Sequence, residues 1–327
     1  MRALVFLEHH AGGLAAGSLG LLAKAATLDP EVAAVIVGGA PLDGLAADAG
    51  KHGATTVYLA EDDTYDPPLP QPRVDVVEQI VRDHGFDTVL FSNSVLAADV
   101  AAALAVRLDA GVNWDLVDVE VRGGDLIGRR PAQEDSVVLE VGWTSEPRVA
   151  LFRPGSFEPS ATGGEARTER VEVALQPHSR AAVVRERVLR TEEGPSIEDA
   201  DVVVAGGIGL GSAEAFALAE DLAAAVDGAV GATRAAVYKG WYPHTAQIGQ
   251  TGKTVSPRLY FALGISGAVQ HKVGMQSSKV IVAINKDPNA PIFEFSDLAV
   301  VGDVHAIVPR LTELLRARQG SERKGSA

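Results

Sequence analysis

Short apolar runs alternate with alanine-rich stretches along the first third of the chain. The runs that we assign to buried strands are Ala3–Leu7, Ala33–Val37, Thr56–Leu59 and Thr88–Phe91. Helical spacing of apolar residues marks three of the remaining stretches, Ser18–Leu28, Val74–His84 and Ala97–Leu108. Nearly continuous apolar strands that alternate with helices are typical of a parallel sheet covered on both faces. We therefore predict an α/β fold for this region.

The pattern changes between Val117 and Ala174, where short strand-like runs are joined by turn residues. The turn signals are Arg122-Gly-Gly-Asp125, Glu146-Pro147 and Pro154-Gly155. Closely spaced turns usually reverse the chain between neighbouring strands. We therefore expect added antiparallel strands in this region.

A polar stretch, residues 190–199, lacks apolar periodicity and contains Gly194-Pro195. We place a domain boundary at its start, between residues 1–189 and residues 190–327. The strand Asp201–Ala205 then opens a second α/β unit. The predicted fold class is α/β, with two domains that each contain a mostly parallel sheet flanked by helices.

Composition narrows the possible functions. The 327-residue chain is 46% hydrophobic and 22% charged, and it has no cysteine, which excludes disulfides, zinc ribbons, iron–sulfur clusters and thiol catalysis. The N-terminal apolar run is interrupted at Glu8, too early for a signal peptide. No segment reaches the roughly 18 apolar residues that a membrane-spanning helix needs. We expect a cytoplasmic protein without membrane insertion.

Charge is unevenly distributed along the chain. Residues 1–200 carry 32 acidic and 17 basic side chains, whereas residues 201–327 carry 11 and 12. An acidic surface repels nucleic acid, so nucleic acid is not an expected partner. A phosphate-bearing ligand would be held at lower electrostatic cost in the C-terminal third.

A glycine-rich loop, Gly206-Gly-Ile-Gly-Leu-Gly211, follows the strand Asp201–Ala205 and precedes an alanine-rich stretch that reads as a helix to about Val226. A strand, a glycine loop and a helix in this order present backbone N–H groups to a phosphate. The third glycine lies one residue earlier than in a dinucleotide-binding fingerprint. A phosphate site and a tight turn with Ser212 as helix N-cap both remain open.

Three other motifs do not meet their requirements. Gly249–Thr254 lacks the first glycine of a nucleotide-triphosphate loop, since Gln247 occupies that position. Gly264–Ala268 lacks the closing glycine of a nucleophile elbow. His9-His10 has no second ligand at zinc-site spacing. We therefore predict neither a catalytic residue nor a metal site.

Polar residues cluster after two strands of the C-terminal third. The strand Leu259–Leu263 leads into the turn 264–267 and a short helix from Ala268, and the strand Lys279–Ile284 leads into Asn285-Lys-Asp-Pro288. Each polar residue could simply cap a helix or form a turn. Several of them at the carboxyl ends of parallel strands instead favour a ligand site.

Two long segments resemble the alpha subunit of electron transfer flavoproteins. They are residues 249–271, GQTGKTVSPRLYFALGISGAVQH, and residues 278–293, SKVIVAINKDPNAPIF. The resemblance is strong from Val202 to Leu315 and weaker before, where the opening Val5-Phe-Leu-Glu-His9 fits.

The resemblance implies a heterodimer with a beta subunit and one FAD, held by a Rossmann-like C-terminal domain. It implies a nucleotide-hydrolase-like N-terminal domain that contacts the beta subunit. The family accepts electrons from flavin dehydrogenases, typically acyl-CoA dehydrogenases of fatty acid β-oxidation. It passes them singly to a membrane quinone oxidoreductase, so the resemblance implies a carrier rather than an enzyme.

The resemblance also implies a set of FAD-binding residues, with the Thr251 hydroxyl near flavin N5 and His271 near the pyrimidine O2. Arg234 and a donating His271 would favour negative charge on that edge of the flavin. The implied residues are Ile208, Thr233, Arg234, Ile248, Gly249, Gln250, Thr251, Ser266, Gly267, Ala268, Val269, Gln270, His271, Asn285, Asp303 and Val304.

One position departs from the family pattern. The family usually has Gly-Gly-Arg-Gly after the first strand of this domain, whereas this chain has Gly206-Gly-Ile208-Gly. An apolar side chain thus replaces a cation expected near the cofactor. Two alternatives stay open: a bifurcating or specialised-dehydrogenase variant, and a structural paralogue without FAD.

Overall fold

The computed structural model describes residues 1–10, 13–39, 41–133, 135, 137–161, 164–186, 196–198 and 200–325, with side chains to residue 318. The chain divides into two compact units, Met1–Leu189 and Arg190–Ala327. Most of the polar stretch 190–199, at whose start the boundary was placed, lies outside the described residues. No helix within the described residues is long and apolar enough to cross a membrane.

The described part of the N-terminal unit contains twelve strands and four α-helices. The strands are β1 (Ala3–Leu7), β2 (His9–His10), β3 (Gly13–Leu14), β4 (Ala33–Gly38), β5 (Thr56–Glu61), β6 (Thr88–Ser92), β7 (Val112–Leu116), β8 (Asp118–Arg122), β9 (Asp125–Ala132), β10 (Val137–Val141), β11 (Arg148–Phe152) and β12 (Arg167–Arg170). The helices are α1 (Ala16–Leu28), α2 (Asp43–Lys51), α3 (Pro70–His84) and α4 (Val95–Leu108).

A parallel sheet with the strand order β12-β5-β4-β1-β6-β11-β7 forms the centre of this unit. Side chains alternate across it, as the pleat requires. Leu4 and Phe6 of β1 pack with residues of α3 and α4, whereas Val5 and Leu7 pack with residues of α1 and α2. Because both faces are covered, β1 and β4 are buried along their whole length, which confirms the predicted parallel sheet.

Only part of the region after Val117 is antiparallel. Strands β8, β9 and β10 form the expected antiparallel sheet. The same expectation is wrong for β11 and β12, which pair in parallel with β6 and β5. The run Val149–Phe152 is buried, and such a run favours the interior of a parallel sheet. The turns at Glu146-Pro147 and Pro154-Gly155 bound that run without fixing its direction.

Within the described residues, the C-terminal unit contains six strands and four α-helices. The strands are β13 (Val202–Gly206), β14 (Ala229–Thr233), β15 (Gln247–Ile248), β16 (Leu259–Leu263), β17 (Ile281–Asn285) and β18 (Leu298–Val301). The helices are α5 (Ala217–Ala225), α6 (Arg234–Tyr238), α7 (Val269–Lys272) and α8 (Val304–Gly325).

These six strands form a second parallel sheet, in the order β15-β14-β13-β16-β17-β18. One face packs on α5 and α8, and the other packs on Ile265, Met275 and Ile292. The chain leaves β13 towards β14 on one side and later returns to β16 on the other. Such a switch point opens a crevice at the carboxyl ends of the strands. The predicted fold class is therefore confirmed.

The start of α5 differs from the prediction. The glycine loop is followed by two 3₁₀ turns, Ile208–Leu210 and Glu214–Phe216, and α5 begins only at Ala217. Ser212 Oγ accepts a hydrogen bond from the Ala215 backbone N–H of the second 3₁₀ turn at 3.3 Å, so Ser212 is not the N-cap of α5. The glycine loop therefore does not lead directly into a helix N-terminus, which removes the main argument for a helix-dipole phosphate site there.

Candidate ligand-binding site

A cavity of about 390 Å³ lies where the chain leaves β13, β14, β15 and β16. The carboxyl ends of parallel strands meet at one edge of the sheet, so the loops that follow them face one another. All the residues that line the cavity lie between Gly207 and His271, within the C-terminal unit. The site is therefore built by a single sheet and its connections.

Most of the implied cofactor-binding residues line this cavity. They are Ile208, Thr233, Arg234, Ile248, Gly249, Gln250, Thr251, Ser266, Ala268, Gln270 and His271. Residues that sequence reasoning missed also line it, namely Gly207, Ala235, Tyr238, Gln247 and Ile265. Tyr238 had a usable signal, since it lies four residues after Arg234 and therefore on the same face of a helix.

Three implied residues outside the cavity wall have other structural roles. Gly267 has a φ of +90°, and a Cβ there would approach the Ile292 backbone N at 2.2 Å. Asn285 donates from Nδ2 to the Ile265 carbonyl at 2.8 Å, which fixes the loop after β16. Asp303 Oδ1 accepts from the His305 N–H at 2.9 Å in the first turn of α8.

Two further implied residues lie outside the cavity wall. Val304, the first residue of α8, is 4% exposed and packs in the core, so its side chain is not available to a ligand. Val269 begins α7 with its side chain exposed. The cavity wall thus contains fewer residues of the implied site than the resemblance gave.

Glycines allow two of the loops to touch through their backbones. A Cβ on Gly207 or Gly209 would lie 2.4 or 2.6 Å from the Gly264 carbonyl oxygen. Gly264 has a φ of +61°, and its carbonyl accepts from the Gly209 N–H at 2.9 Å. The glycine loop after β13 is therefore explained by close packing against the loop after β16.

The loop after β15 is held by hydrogen bonds at both ends. The Lys253 N–H donates to the Gln247 carbonyl and the Gln250 N–H donates to the Gln270 carbonyl, both at 2.7 Å. Gly249 has a φ of +138°, and a Cβ there would lie 2.6 Å from the same Gln270 carbonyl. This loop presents Thr251, which is exposed, at the cavity.

His271 is buried and both its ring nitrogens are hydrogen-bonded. Nδ1 lies 3.1 Å from the Ile248 carbonyl and Nε2 lies 2.9 Å from Tyr260 Oη. A carbonyl only accepts, so Nδ1 carries the proton of the neutral ring and Nε2 accepts from Tyr260. Burial lowers the pKa of His271 from 6.5 to about 4. In this tautomer the N–H of His271 is already bonded within the protein, and donation from His271 to a flavin stays a prediction.

Arg234 provides the fixed positive charge of the described cavity wall. Its guanidinium lies over the Tyr238 ring, 4.8 Å from the ring centroid, and Nη2 donates to Tyr238 Oη at 3.4 Å. Within the described part of the chain, no carboxylate forms an ion pair with Arg234. The charge of Arg234 is therefore available to an anionic ligand.

Ile208 is 47% exposed and lies in the cavity wall. Together with Ile248, Ile265, Ala235 and Ala268, it gives the cavity an apolar surface. Apolar walls with a few convergent polar groups are the usual composition of a small-molecule or cofactor site. Fold and cavity together define an α/β protein that binds a ligand at the carboxyl edge of its second sheet.

The comparisons with known proteins agree on one family. Residues 3–178 match the family model described as electron transfer flavoprotein domain, and residues 196–276 match that described as electron transfer flavoprotein FAD-binding domain. The chain is 41% identical to an electron transfer flavoprotein subunit alpha of Mycobacterium leprae (strain TN) over 323 residues, 97% of this chain and 99% of that protein.

Two further relatives span other groups of organisms. The chain is 37% identical to the electron transfer flavoprotein subunit alpha of Bacillus subtilis (strain 168) over 287 residues, 87% of each chain. It is 37% identical over 313 residues to a protein of Caenorhabditis elegans named probable electron transfer flavoprotein subunit alpha, mitochondrial, covering 95% of this chain and 93% of that one. The chain belongs to the electron transfer flavoprotein alpha-subunit family, as the resemblance implied, and its cofactor is FAD.

The residues present in the cavity fit a flavin in three respects. The apolar side chains suit a flat ring system, and Arg234 suits its electron-rich edge or a phosphate. Gln247 Oε1 is a buried acceptor without a hydrogen-bond partner among the described residues, and such an atom suits a ligand N–H. The Ile208 side chain offers no polar contact to a cofactor, but it does not affect the other apolar side chains, Arg234 or Gln247 Oε1.

Proposed function

We propose that this chain pairs with an electron transfer flavoprotein beta subunit and acts as an electron carrier. Its donors would be flavin dehydrogenases, typically acyl-CoA dehydrogenases, and its acceptor a membrane quinone oxidoreductase. The observation that carries the proposal is the cavity charge: Arg234 lacks a carboxylate partner among the described residues, and the neighbouring His271 is held neutral. One fixed cation favours a cofactor that gains a single negative charge.

The protein side of the mechanism consists of binding and electrostatics. FAD, when bound, supplies the one-electron chemistry. Arg234 would stabilise negative charge on the bound cofactor, and the isoleucines of the wall would give its ring system an apolar surface to pack on. Thr251 offers a hydroxyl at the cavity, and His271 fixes the Ile248 carbonyl rather than contributing charge.

We assign the two units different tasks within this proposal. Residues 190–327 form the FAD-binding domain, through the residues that line the cavity and, outside its wall, through Gly267, Val269, Asn285, Asp303 and the backbone of Val304. Residues 1–189 provide the contact with the beta subunit. The matches of separate family models to the two halves support this division.

The test is a stepwise reduction of the chain purified with its beta partner. We expect a flavin absorption spectrum that changes in two resolved one-electron steps on titration with a reductant. We also expect reduction by an acyl-CoA dehydrogenase and its substrate. A colourless heterodimer that takes up no FAD would contradict the carrier role.

Two other outcomes would redirect the assignment. A second flavin in the purified heterodimer, or reduction by NADH, would indicate a bifurcating variant. Reduction by a flavin dehydrogenase of another substrate class, without reduction by acyl-CoA dehydrogenase, would indicate a specialised donor.

A further inference from the structure

Gln247 is a buried polar residue in the cavity wall. It is 2% exposed and belongs to β15, which pairs with β14 at the edge of the second sheet. Its side-chain Nε2 lies 3.1 Å from the Thr251 carbonyl oxygen and 3.2 Å from Thr251 Oγ1. Both atoms of Thr251 are therefore within reach of one amide group.

The Thr251 carbonyl determines which way this amide faces. A carbonyl oxygen only accepts, so the NH₂ group of Gln247 must face Thr251. The opposite rotamer would place Gln247 Oε1 against that carbonyl, and two acceptors repel each other. The orientation observed is thus the one that the hydrogen bonds require.

The orientation of Gln247 in turn determines what the Thr251 hydroxyl can do. Since Thr251 Oγ1 accepts from Nε2, the hydroxyl proton is not used in this contact. Thr251 lines the cavity and is exposed, so that proton is free to point into the cavity. Without the Gln247 amide, the hydroxyl could instead turn its proton towards another acceptor.

We propose that Gln247 is a positioning residue that makes the Thr251 hydroxyl a hydrogen-bond donor to the bound flavin. The proposal rests on the assignment of Thr251 to the FAD site under the proposed function. The backbone supports the same geometry, because the Gln247 carbonyl also accepts from the Lys253 N–H at 2.7 Å. Gln247 thus fixes the path of the loop through its backbone carbonyl, and its side chain sets the direction in which the Thr251 hydroxyl donates.

The test uses the FAD-free heterodimer and measures the dissociation constant for FAD from flavin fluorescence. Gln247→Glu is nearly isosteric, but its carboxylate accepts from the Thr251 hydroxyl and repels the Thr251 carbonyl. We expect binding to weaken about tenfold at pH 8. Binding should recover as the pH falls and the buried carboxyl becomes protonated, because a protonated carboxyl donates again. The native protein should show no matching change over that pH range.

A second substitution separates donation from charge. Gln247→Leu removes the amide donor without adding charge, so we expect a loss of FAD affinity of about fivefold without the recovery at low pH. Thr251→Val removes the hydroxyl and keeps the side-chain shape. Thr251→Val keeps the backbone carbonyl of residue 251, so in that background the Glu and Leu substitutions at position 247 should each weaken binding by a smaller factor than in the native protein.

The outcomes distinguish this inference from the proposed function. If Thr251→Val binds FAD as tightly as the native protein, the assignment of Thr251 fails and the inference fails with it. If Thr251→Val weakens binding but the position 247 variants do not, only the inference fails. If the position 247 losses persist in full in the Thr251→Val background, Gln247 does not act through the Thr251 hydroxyl and the inference is overturned.

Discussion

At the scale of single residues, the cavity separates two side chains that would both be cationic in acid. Arg234 is exposed to the cavity and keeps its charge, whereas His271 is 6% exposed and loses it. The difference follows from burial, since desolvation disfavours the charged imidazolium. Among the described residues that line the cavity, the positive charge is therefore that of the Arg234 guanidinium alone.

His271 should make the folded chain less stable in mild acid. Its pKa is 6.5 when unfolded and about 4 when folded, so the unfolded chain binds more protons between these values. Stability is complete above pH 6.5 and falls as the pH is lowered towards 4, by about 3 kcal/mol for this group. Urea unfolding at a series of pH values measures this slope.

A pair of variants assigns that slope to one residue. His271→Gln should reduce it, because glutamine does not titrate, and the contribution of His9, whose pKa is also lowered by burial, should remain. His10→Gln changes an exposed histidine and should leave the slope as it is. Equal slopes in native and His271→Gln protein would show that His271 titrates normally.

Arg234→Gln should lower the midpoint potential of the first one-electron step by about 60 mV. The expected loss is about 1.4 kcal/mol of favourable interaction with negative charge on the cofactor. Lys239→Gln is the matched control, since Lys239 lies five residues later, over the Trp241 ring at 4.8 Å, and does not line the cavity. A redox titration in which both variants shift equally would attribute the effect to net charge alone.

Ile208→Arg should tighten FAD binding or raise the midpoint potential of the bound flavin. The Ile208 side chain is 47% exposed at the cavity, so a longer side chain can be accommodated without displacing the core. A second guanidinium would add a charge-assisted interaction, worth about 1.5–3 kcal/mol when well placed. Isothermal titration with FAD and a redox titration check this; if affinity and potential both stay unchanged, position 208 is not near the cofactor.

At the scale of elements, the apolar pattern predicted the bounds of buried strands but not the direction in which they pair. The strands Ala3–Leu7 and Leu259–Leu263 agree with the prediction at both ends, because each is an apolar run bounded by charged residues or glycine. The direction of β11 and β12 could not be predicted, since a buried apolar run is the same in either orientation. Their partners, β6 and β5, lie far away in sequence.

The sequence predicted the site residues that lie in recognisable motifs. It did not predict the roles of residues that depend on packing in three dimensions. Thr251 and Ser266 belong to the segment 249–271 that resembles the family, Arg234 belongs to the wider region of resemblance, and all three line the cavity. Gln247 was overlooked because its role depends on a hydrogen bond to Thr251, and Val304 was implied although its side chain is in the core. A sequence pattern gives neighbours along the chain, whereas these two outcomes depend on neighbours in space.

The contact between the two glycine loops should be intolerant of a single methyl group. A Cβ on Gly209 would lie 2.6 Å from the Gly264 carbonyl oxygen and 2.7 Å from Gly264 Cα, and both are backbone atoms that cannot turn aside. We expect Gly209→Ala to destabilise the C-terminal unit by about 2 kcal/mol or more and to weaken FAD binding. Gly44→Ala has nothing within 4 Å and lies in α2, so it should stabilise by up to about 1 kcal/mol. Thermal unfolding of both variants compares them, and similar stabilities would show that the loops can separate without cost.

At the scale of the whole molecule, charge and site are divided between different parts of the chain. The acidic excess lies within residues 1–200, whereas the cavity lies within residues 207–271 of the nearly neutral remainder. A cofactor that carries phosphates is therefore held by the part of the chain in which basic and acidic side chains nearly balance, which reduces the electrostatic cost of binding it.

Because the cavity wall belongs to one unit, FAD should change hydrogen exchange in that unit alone. A ligand that binds only the closed form slows local opening by a factor of about 100 when its concentration is about 100 times its dissociation constant. The amides of Gln250 and Lys253 exchange only when their hydrogen bonds to Gln270 and Gln247 break, so they should report this most directly. Exchange mass spectrometry of the heterodimer with and without FAD should therefore show protection in residues 207–211, 247–253 and 264–271. Peptides from β1, β4 and β6 should exchange at the same rate in both samples. Protection spread equally over residues 1–189 would mean that FAD binding is coupled to the N-terminal unit, and the cavity could then no longer be treated as the property of one sheet.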